Sequence, residues 1–353
     1  MRMGFVTLAH KANQIGLTLD ISEIKPYRKM FGCSDIFFQE DDPYIINAIT
    51  ENELRKLLLK YEDIYMDISW FREHQKYNFI LLKNCFRTQD LPPTPTNDGA
   101  PEQSLWRDQA AMLMAAISVT GHKVASYKDE MKGRLAHMVM PSNDCKKSWE
   151  RSSKLLHPHT EVVHGSWTEH LPPNTKIQTI APEVFGLACL RNPTQTATTL
   201  WCLNDILSNL SHSTVEELKK PNYEATSQSS FDTELKVGKL SILCEIENKL
   251  VIRYSHSKLK RETQKARFAL DELREFLKQP SCINRVTLQP GDILIVNNRT
   301  TLHGRDSLME TAKYNGEDRW LVRMYGFSFD AWKKLQCHNR KLHVVLSHMD
   351  SQS

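Results

Sequence analysis

The stretch QPGDILIVNNRTTLHGRDSL, residues Gln289–Leu308, holds a turn, a short apolar strand, a second turn and then one histidine, His303, placed before a glycine. Its reading depends on an earlier segment, LLHPHTEVVHG at Leu155–Gly165, in which His159 and Glu161 stand two residues apart. Residues i and i+2 of a strand point to one face, so this pair sets an imidazole beside a carboxylate. A histidine delivered from a distant strand then completes three ligands and leaves open positions on an octahedral metal. That is the 2-His-1-carboxylate arrangement of non-haem iron(II). His157 and His164 compete for the same role: Pro158 favours an extended approach by His157, whereas His159 shares the parity of Glu161. With 14 histidines in the chain, chance pairs of this kind are expected, and the spacing alone leaves the metal reading open.

The chain around these residues has the composition of a soluble globular protein, with 40% hydrophobic and 25% charged residues in 353. Lys+Arg minus Asp+Glu is 46 − 42 = +4, with denser basic runs at Lys258–Lys265 and Lys333–Lys341. Neither run forms the stripe or reading motif that a nucleic-acid partner requires, and solvated faces and a basic tail account for both. The eight cysteines show no C-x-x-C pair, and no secretory leader precedes them, so reduced thiols in a cytoplasmic protein are expected. No apolar run reaches the length of a membrane span. Dinucleotide, phosphate-loop and nucleophile-elbow motifs are absent.

Periodicity sets helices from Thr50 (with Glu53 three residues on), over Trp106–Ser118, over Leu203–Lys220 with Asn204 or Asp205 as cap, and over Gln264–Lys278. Strands are expected at Lys76–Cys85, Gly133–Pro141, Glu183–Pro193, along TATTLWC, on both sides of a turn at Glu247–Asn248, and along DRWLVRMYGFSF. His137, inside one of them, reads as a structural histidine. The segment from Tyr223 begins as a polar loop. Many strands with few helices indicate a sheet sandwich with helical decoration. Nothing forces a split, so residues 1–353 are expected to form one domain. It comprises an N-terminal elaboration over about 1–75, a catalytic core over 76–330 and a basic tail over 331–353.

Four motifs, taken together and in order, carry a resemblance: HTE at 159–161, EVFGLACLR at 183–191, PGDILIVNNRTTLHGR at 290–305 and DRWLVRMY at 318–325. The chain resembles the TauD/clavaminate synthase superfamily of iron(II)/2-oxoglutarate oxygenases. Within it, the likeness is to the amino-acid oxygenases of the asparagine oxygenase and viomycin-type arginine hydroxylase kind. The resemblance implies a mainly β protein with added helices, built on a double-stranded β-helix (jelly-roll) core. It implies Fe(II) as cofactor, with 2-oxoglutarate and O2 as cosubstrates, and His159, Glu161 and His303 as iron ligands. Arg319 would pair with the distal carboxylate of 2-oxoglutarate, because a planar guanidinium offers two parallel charge-assisted bonds. Thr199, or Thr198 if the register slips by one, would hydrogen-bond the same cosubstrate.

The substrate implied is a small molecule, an amino acid or a derivative, hydroxylated at an aliphatic C–H with release of succinate and CO2. Arg323 would meet its carboxylate and Glu161 its amino group. Asp232 would reach it from a lid over Tyr223–Lys239. Desaturation at the same centre and a catalytically silent jelly-roll binding protein are the alternatives. The run SNDCKKSWERSSK at Ser142–Lys154 and the N-terminal part depart from the family pattern.

Overall fold

Strands with apolar side chains on both faces need cover on both sides, and the architecture supplies it. The computed structural model describes residues 8–10, 14–20, 51–52, 54–56, 59, 68, 71, 77–96, 106–141, 153–171, 179–334 and 344–345. Most of the helix expected from Thr50, most of the departing run at 142–154 and most of the basic tail lie outside the described residues.

In chain order the strands are β1 (Leu8–His10), β2 (Gln14–Asp20), β3 (Phe79–Lys83), β4 (His122–Tyr127), β5 (His137–Val139) and β6 (Leu156–His159). They continue with β7 (Val184–Arg191), β8 (Thr198–Cys202), β9 (Tyr223–Thr226), β10 (Lys236–Leu240), β11 (Leu243–Ile246) and β12 (Lys249–Ile252). The last are β13 (Leu259–Arg261), β14 (Asn284–Val286), β15 (Ile293–Asn297), β16 (Thr301–Arg305), β17 (Trp320–Ser328) and β18 (Val344–Val345). The helices are α1 (Arg107–Val119), α2 (Leu203–Asn209), α3 (His212–Leu218), α4 (Gln264–Leu277) and α5 (Phe329–Lys334). The chain is therefore mainly β.

A nine-stranded sheet runs β1-β2-β3-β15-β7-β17-β4-β18, with β5 also on β17, and a four-stranded sheet runs β14-β8-β16-β6. Pairing is antiparallel except at β2–β3 and β4–β18. The stretch Gln289–Leu308 links the two sheets, with β15 central in the large one and β16 central in the small one. Gly291, at φ 98°, makes the turn before β15. His303 thus lies within a strand, and the sequence reading of it as a residue just beyond a strand is corrected.

Alternation on β15 decides what each face packs against. Ile293 and Ile295 join Met112, Leu113 and Ile117 of α1, while Leu294 and Val296 join Phe185, Leu187, Leu321 and, across the gap, Leu200 of the small sheet. The outer face of the small sheet is covered by α4, where Trp201 and Leu302 meet Leu270 and Leu273. The indole N–H of Trp201 donates to Leu277 O at 3.0 Å. Each such fully buried aliphatic side chain contributes roughly 1.5–3 kcal/mol.

Two local expectations change. Leu203–Lys220 is two helices, broken at Leu210–Ser211, with Ser211 Oγ accepting from Thr214 N to start α3; Cys202, and neither Asn204 nor Asp205, is the cap of α2. The polar start at Tyr223 is strand β9, held by β10 and β13 on its two sides. The hairpin at Glu247–Asn248 forms as expected, with φ 49° and 62° at its two turn residues.

Candidate metal centre

His303 on β16 is the cross-strand partner of His159 on β6, and their ring centroids are 4.1 Å apart. Gly304 allows this approach: a Cβ there would stand 2.4 Å from the carbonyl oxygen of Leu156. Phe185 of the large sheet packs on the His303 ring at 4.2 Å. Glu161 completes the cluster, and one ligand atom from each of His159, Glu161 and His303 lies within 4.8 Å of the others. All three side chains are buried.

Glu161 reaches this place differently from the sequence reading. β6 ends at His159, and Glu161 sits in the turn that follows. Asn298, at the β15–β16 junction, takes the place of a neighbouring strand: its Oδ1 accepts from Glu161 N at 2.8 Å, and its Nδ2 donates to Glu161 O and Pro182 O. Val162 next to it has φ 51°, an outlier for a β-branched residue, and its N–H donates to Gln228 Oε1 at 3.1 Å. The other end of the Gln228 amide donates to Glu161 Oε2 at 3.4 Å.

Charge at the centre is balanced by Arg323. Its Nη1 donates to both Glu161 oxygens at 2.9 and 3.0 Å, and its Nη2 donates to Glu130 Oε1 at 3.1 Å and to His137 Nδ1 at 2.9 Å. Tyr325 Oη donates to Glu130 at 3.0 Å and lies 3.3 Å from Glu161. Burial alone would raise the Glu161 carboxyl, yet Arg323, His303 and His159 hold it well below the usual carboxylate range. Burial, reinforced by His303, lowers the His159 imidazole to about 3; burial and Arg323 lower His137 to about 3. Nδ1 of His159 lies 2.9 Å from His157 O, which can only accept, so Nδ1 carries the proton and Nε2 keeps its lone pair for a metal.

Arg319 stands in a different condition. It is 3% exposed, its Nη2 donates to Thr198 Oγ1 at 3.3 Å, and no carboxylate among the described residues pairs with it. Burial lowers its guanidinium to about 10. Of the two threonines named from the sequence, Thr198 and not Thr199 meets Arg319. Thr199 shares the outer face with Trp201, whereas Thr198 shares the inner face with Leu200, opposite His303.

Of the other residues expected at the substrate, Arg323 enters the site, where Glu161, Glu130 and His137 engage it. Asp232 is exposed to solvent, and its segment reaches the centre through Gln228 and Ser230 instead; Ser230 Oγ donates to Glu130 at 2.7 Å. Sequence reasoning missed Glu130, Tyr325, Gln228 and Asn298. Tyr325 alone had a signal, the strand parity it shares with Arg323.

Comparison with known proteins bears on this site: residues 174–325 match the model of the taurine catabolism dioxygenase TauD, TfdA family. The match includes His303, Arg319 and Arg323 and begins after His159 and Glu161. Among individual relatives, the L-asparagine oxygenase of Streptomyces coelicolor is 28% identical over 237 residues, 67% of this chain and 66% of that protein. The L-lysine 3-hydroxylase of Catenulispora acidiphila is 23% identical over 256 residues, 70% of this chain and 66% of that protein. The aligned part thus spans just under two thirds of either relative.

In fold, the chain is similar to asparagine oxygenase solved with Fe(II), 2S,3S-3-hydroxyasparagine and succinate, at a TM-score of 0.74 and 22% identity, over 94% of this chain and 99% of that one. It is also similar to the non-haem iron oxygenase OrfP solved with Fe, succinate and (3S)-hydroxy-L-Arg, at a TM-score of 0.70 and 20% identity, with the same coverage. No helix among the described residues is long and apolar enough to cross a membrane.

Proposed function

We propose that this protein is an iron(II)- and 2-oxoglutarate-dependent dioxygenase that hydroxylates an aliphatic C–H of a free or derivatised amino acid, releasing succinate and CO2. The observation that carries the reading is the buried meeting of His159, Glu161 and His303, two imidazoles and one carboxylate on one side of a coordination sphere. Iron(II) held there, with 2-oxoglutarate and O2, supplies the oxidising power for C–H hydroxylation. The donor set fits that ion: His159 offers Nε2, His303 Nε2 lies 3.3 Å from Glu161 Oε1, and Glu161 is held ionised.

The remaining residues have positioning roles. Arg323 fixes Glu161, and Asn298 fixes the backbone that carries it. Arg319, a buried cation lacking a counter-ion among the described residues, matches the distal carboxylate of 2-oxoglutarate, with Thr198 orienting it. The relatives' names, an asparagine oxygenase and a lysine hydroxylase, support an amino acid as substrate. In this reading the two facing sheets are a double-stranded β-helix core within a single oxygenase domain. Cys189, Cys202, Cys244 and Cys282 form no disulfide among the described residues, in keeping with the cytoplasmic setting expected here.

Anaerobic titration tests the proposal. The protein should take up one iron(II), and added 2-oxoglutarate should produce a weak visible charge-transfer band. His159→Ala and His303→Ala should each abolish that band; its retention in either variant overturns the assignment.

A further inference from the structure

A cleft opens beside His159, between the β6 segment, the Gln228–Ser230 crossing and the strip Ser255–Lys258, with a volume of about 80 Å³. Its walls are fixed on β6: Ser255 bridges His159, the amide of His256 donates to Pro158 O at 3.3 Å, and Gln228 touches Glu161. The side chains lining it include His157, His256, Lys258, Ser229, Ser255 and Ser257, and no acidic residue is among its described lining. The rings of His157 and His256 stack at 4.3 Å and 18°.

We propose that this cleft receives an anionic distal group of the substrate, so that the substrate is an acidic amino acid, or a derivative keeping a free carboxylate, and not a basic one. The inference rests on the oxygenase reading of the adjacent triad.

Three observations carry it. Lys258 makes no ion pair among the described residues, so the cleft holds a cation whose charge is not already neutralised. The strip that walls the cleft also meets a further cation, because Arg274 Nη2 donates to His256 O at 3.3 Å. Arg274 and Lys278 are partly neutralised on α4 by Asp271 at 3.4 Å and Glu275 at 2.6 Å. Finally, the acids of the neighbouring segment lie elsewhere: Asp232 is exposed, and Glu234 is exposed with Lys236 at 3.4 Å.

A lysine or arginine side chain placed here would meet like charge and find no counter-ion. A carboxylate would meet one lysine, two imidazoles and serine hydroxyls, all able to donate.

Calorimetric titration of the anaerobic protein, loaded with iron(II) and 2-oxoglutarate, reads this directly. The probes are L-glutamate, L-aspartate, L-glutamine, L-lysine and L-arginine. Glutamate or aspartate should bind at least tenfold tighter than glutamine, its neutral counterpart, and tighter still than lysine or arginine. Lys258→Glu should weaken acid binding at least tenfold, and Ser257→Asp, at an exposed position, should shift preference toward lysine. Tighter binding of glutamine or a basic amino acid, absence of binding by all five, or insensitivity to both substitutions would overturn the proposal. The charge-transfer band separates the two readings: acid binding without the band sinks the oxygenase, while the band with a basic preference sinks only the assignment of the cleft.

Discussion

Nη1 of Arg323 lies 2.9 and 3.0 Å from the two carboxylate oxygens of Glu161, while Nη2 reaches Glu130. One guanidinium therefore stands between two buried carboxylates, and removing it leaves both without their principal counter-charge. Breaking a buried pair from one side costs about 3–5 kcal/mol. Arg323→Met should lower the unfolding free energy by about that much and weaken iron(II) binding, because Glu161 loses its clamp. Arg323→Lys keeps the charge but not the fork, and should fall between. Denaturant unfolding and iron(II) titration of the three proteins check the order; a Met variant as stable as the parent would contradict it.

Arg319 should respond with the opposite sign. Its guanidinium is as buried as that of Arg323, yet Thr198 is its only partner among the described residues. Deleting an uncompensated buried charge removes a desolvation cost. Arg319→Met is expected to leave the stability of the cosubstrate-free protein unchanged or higher, and to abolish the 2-oxoglutarate band. A stability loss like that of Arg323→Met would make Arg319 a structural residue.

The contrast between these two arginines marks what the sequence could disclose. Periodicity exposed β15, because the four successive apolar residues Ile293–Val296 suit a strand covered on both faces. It exposed α4, because its apolar stripe is broad, and the His-x-Glu spacing named His159 with Glu161, although Glu161 sits in the turn after β6 and not on the strand. It did not disclose how Glu161 is held, since Asn298 comes from a distant turn and works through side chain-to-backbone bonds. Glu130 lies in SYKDEMKG, which reads as a solvated charged run; burial makes sense only once Arg323 arrives from β17. The same limit hid β9, whose polar sequence becomes a strand through non-local pairing with β10 and β13.

Acid should destabilise the fold through His164. It is 2% exposed, packs edge-on against Phe231, and neither ring nitrogen has a hydrogen-bond partner among the described residues. Burial first, and Arg253 second, lower its imidazole to about 4. Between an unfolded value near 6.5 and about 4 the unfolded chain binds the proton that the folded protein refuses, so stability falls as pH drops through that window. At pH 5 the contribution is on the order of 1–2 kcal/mol. Urea midpoints at pH 7 and pH 5 should differ less in His164→Phe than in the parent; an unchanged difference would show that His164 is not the group responsible.

Under the proposed function, one residue of register decides which threonine would serve the cosubstrate. Thr198 pairs with Arg305 and Leu200 with His303 across β8–β16, which puts Thr198 on the face of the metal centre; Thr199 pairs with Gly304 and faces the α4 side. A Cβ on Gly304 would stand 3.0 Å from Thr199 Oγ1 and 3.3 Å from Trp201, confirming the side on which Thr199 lies. Its hydroxyl is buried without a hydrogen-bond partner among the described residues, so Thr199→Val exchanges an unmet polar atom for a methyl group and should be neutral or stabilising. Thr198→Val instead removes the bond to the Arg319 guanidinium, and hydrogen bonds to charged groups contribute about 1.5–3 kcal/mol. It should weaken 2-oxoglutarate binding roughly tenfold or more while leaving iron(II) uptake intact. Titrating the charge-transfer band with 2-oxoglutarate in both variants distinguishes the two registers: equal weakening, or weakening by Thr199→Val alone, would place the cosubstrate against the other face of β8.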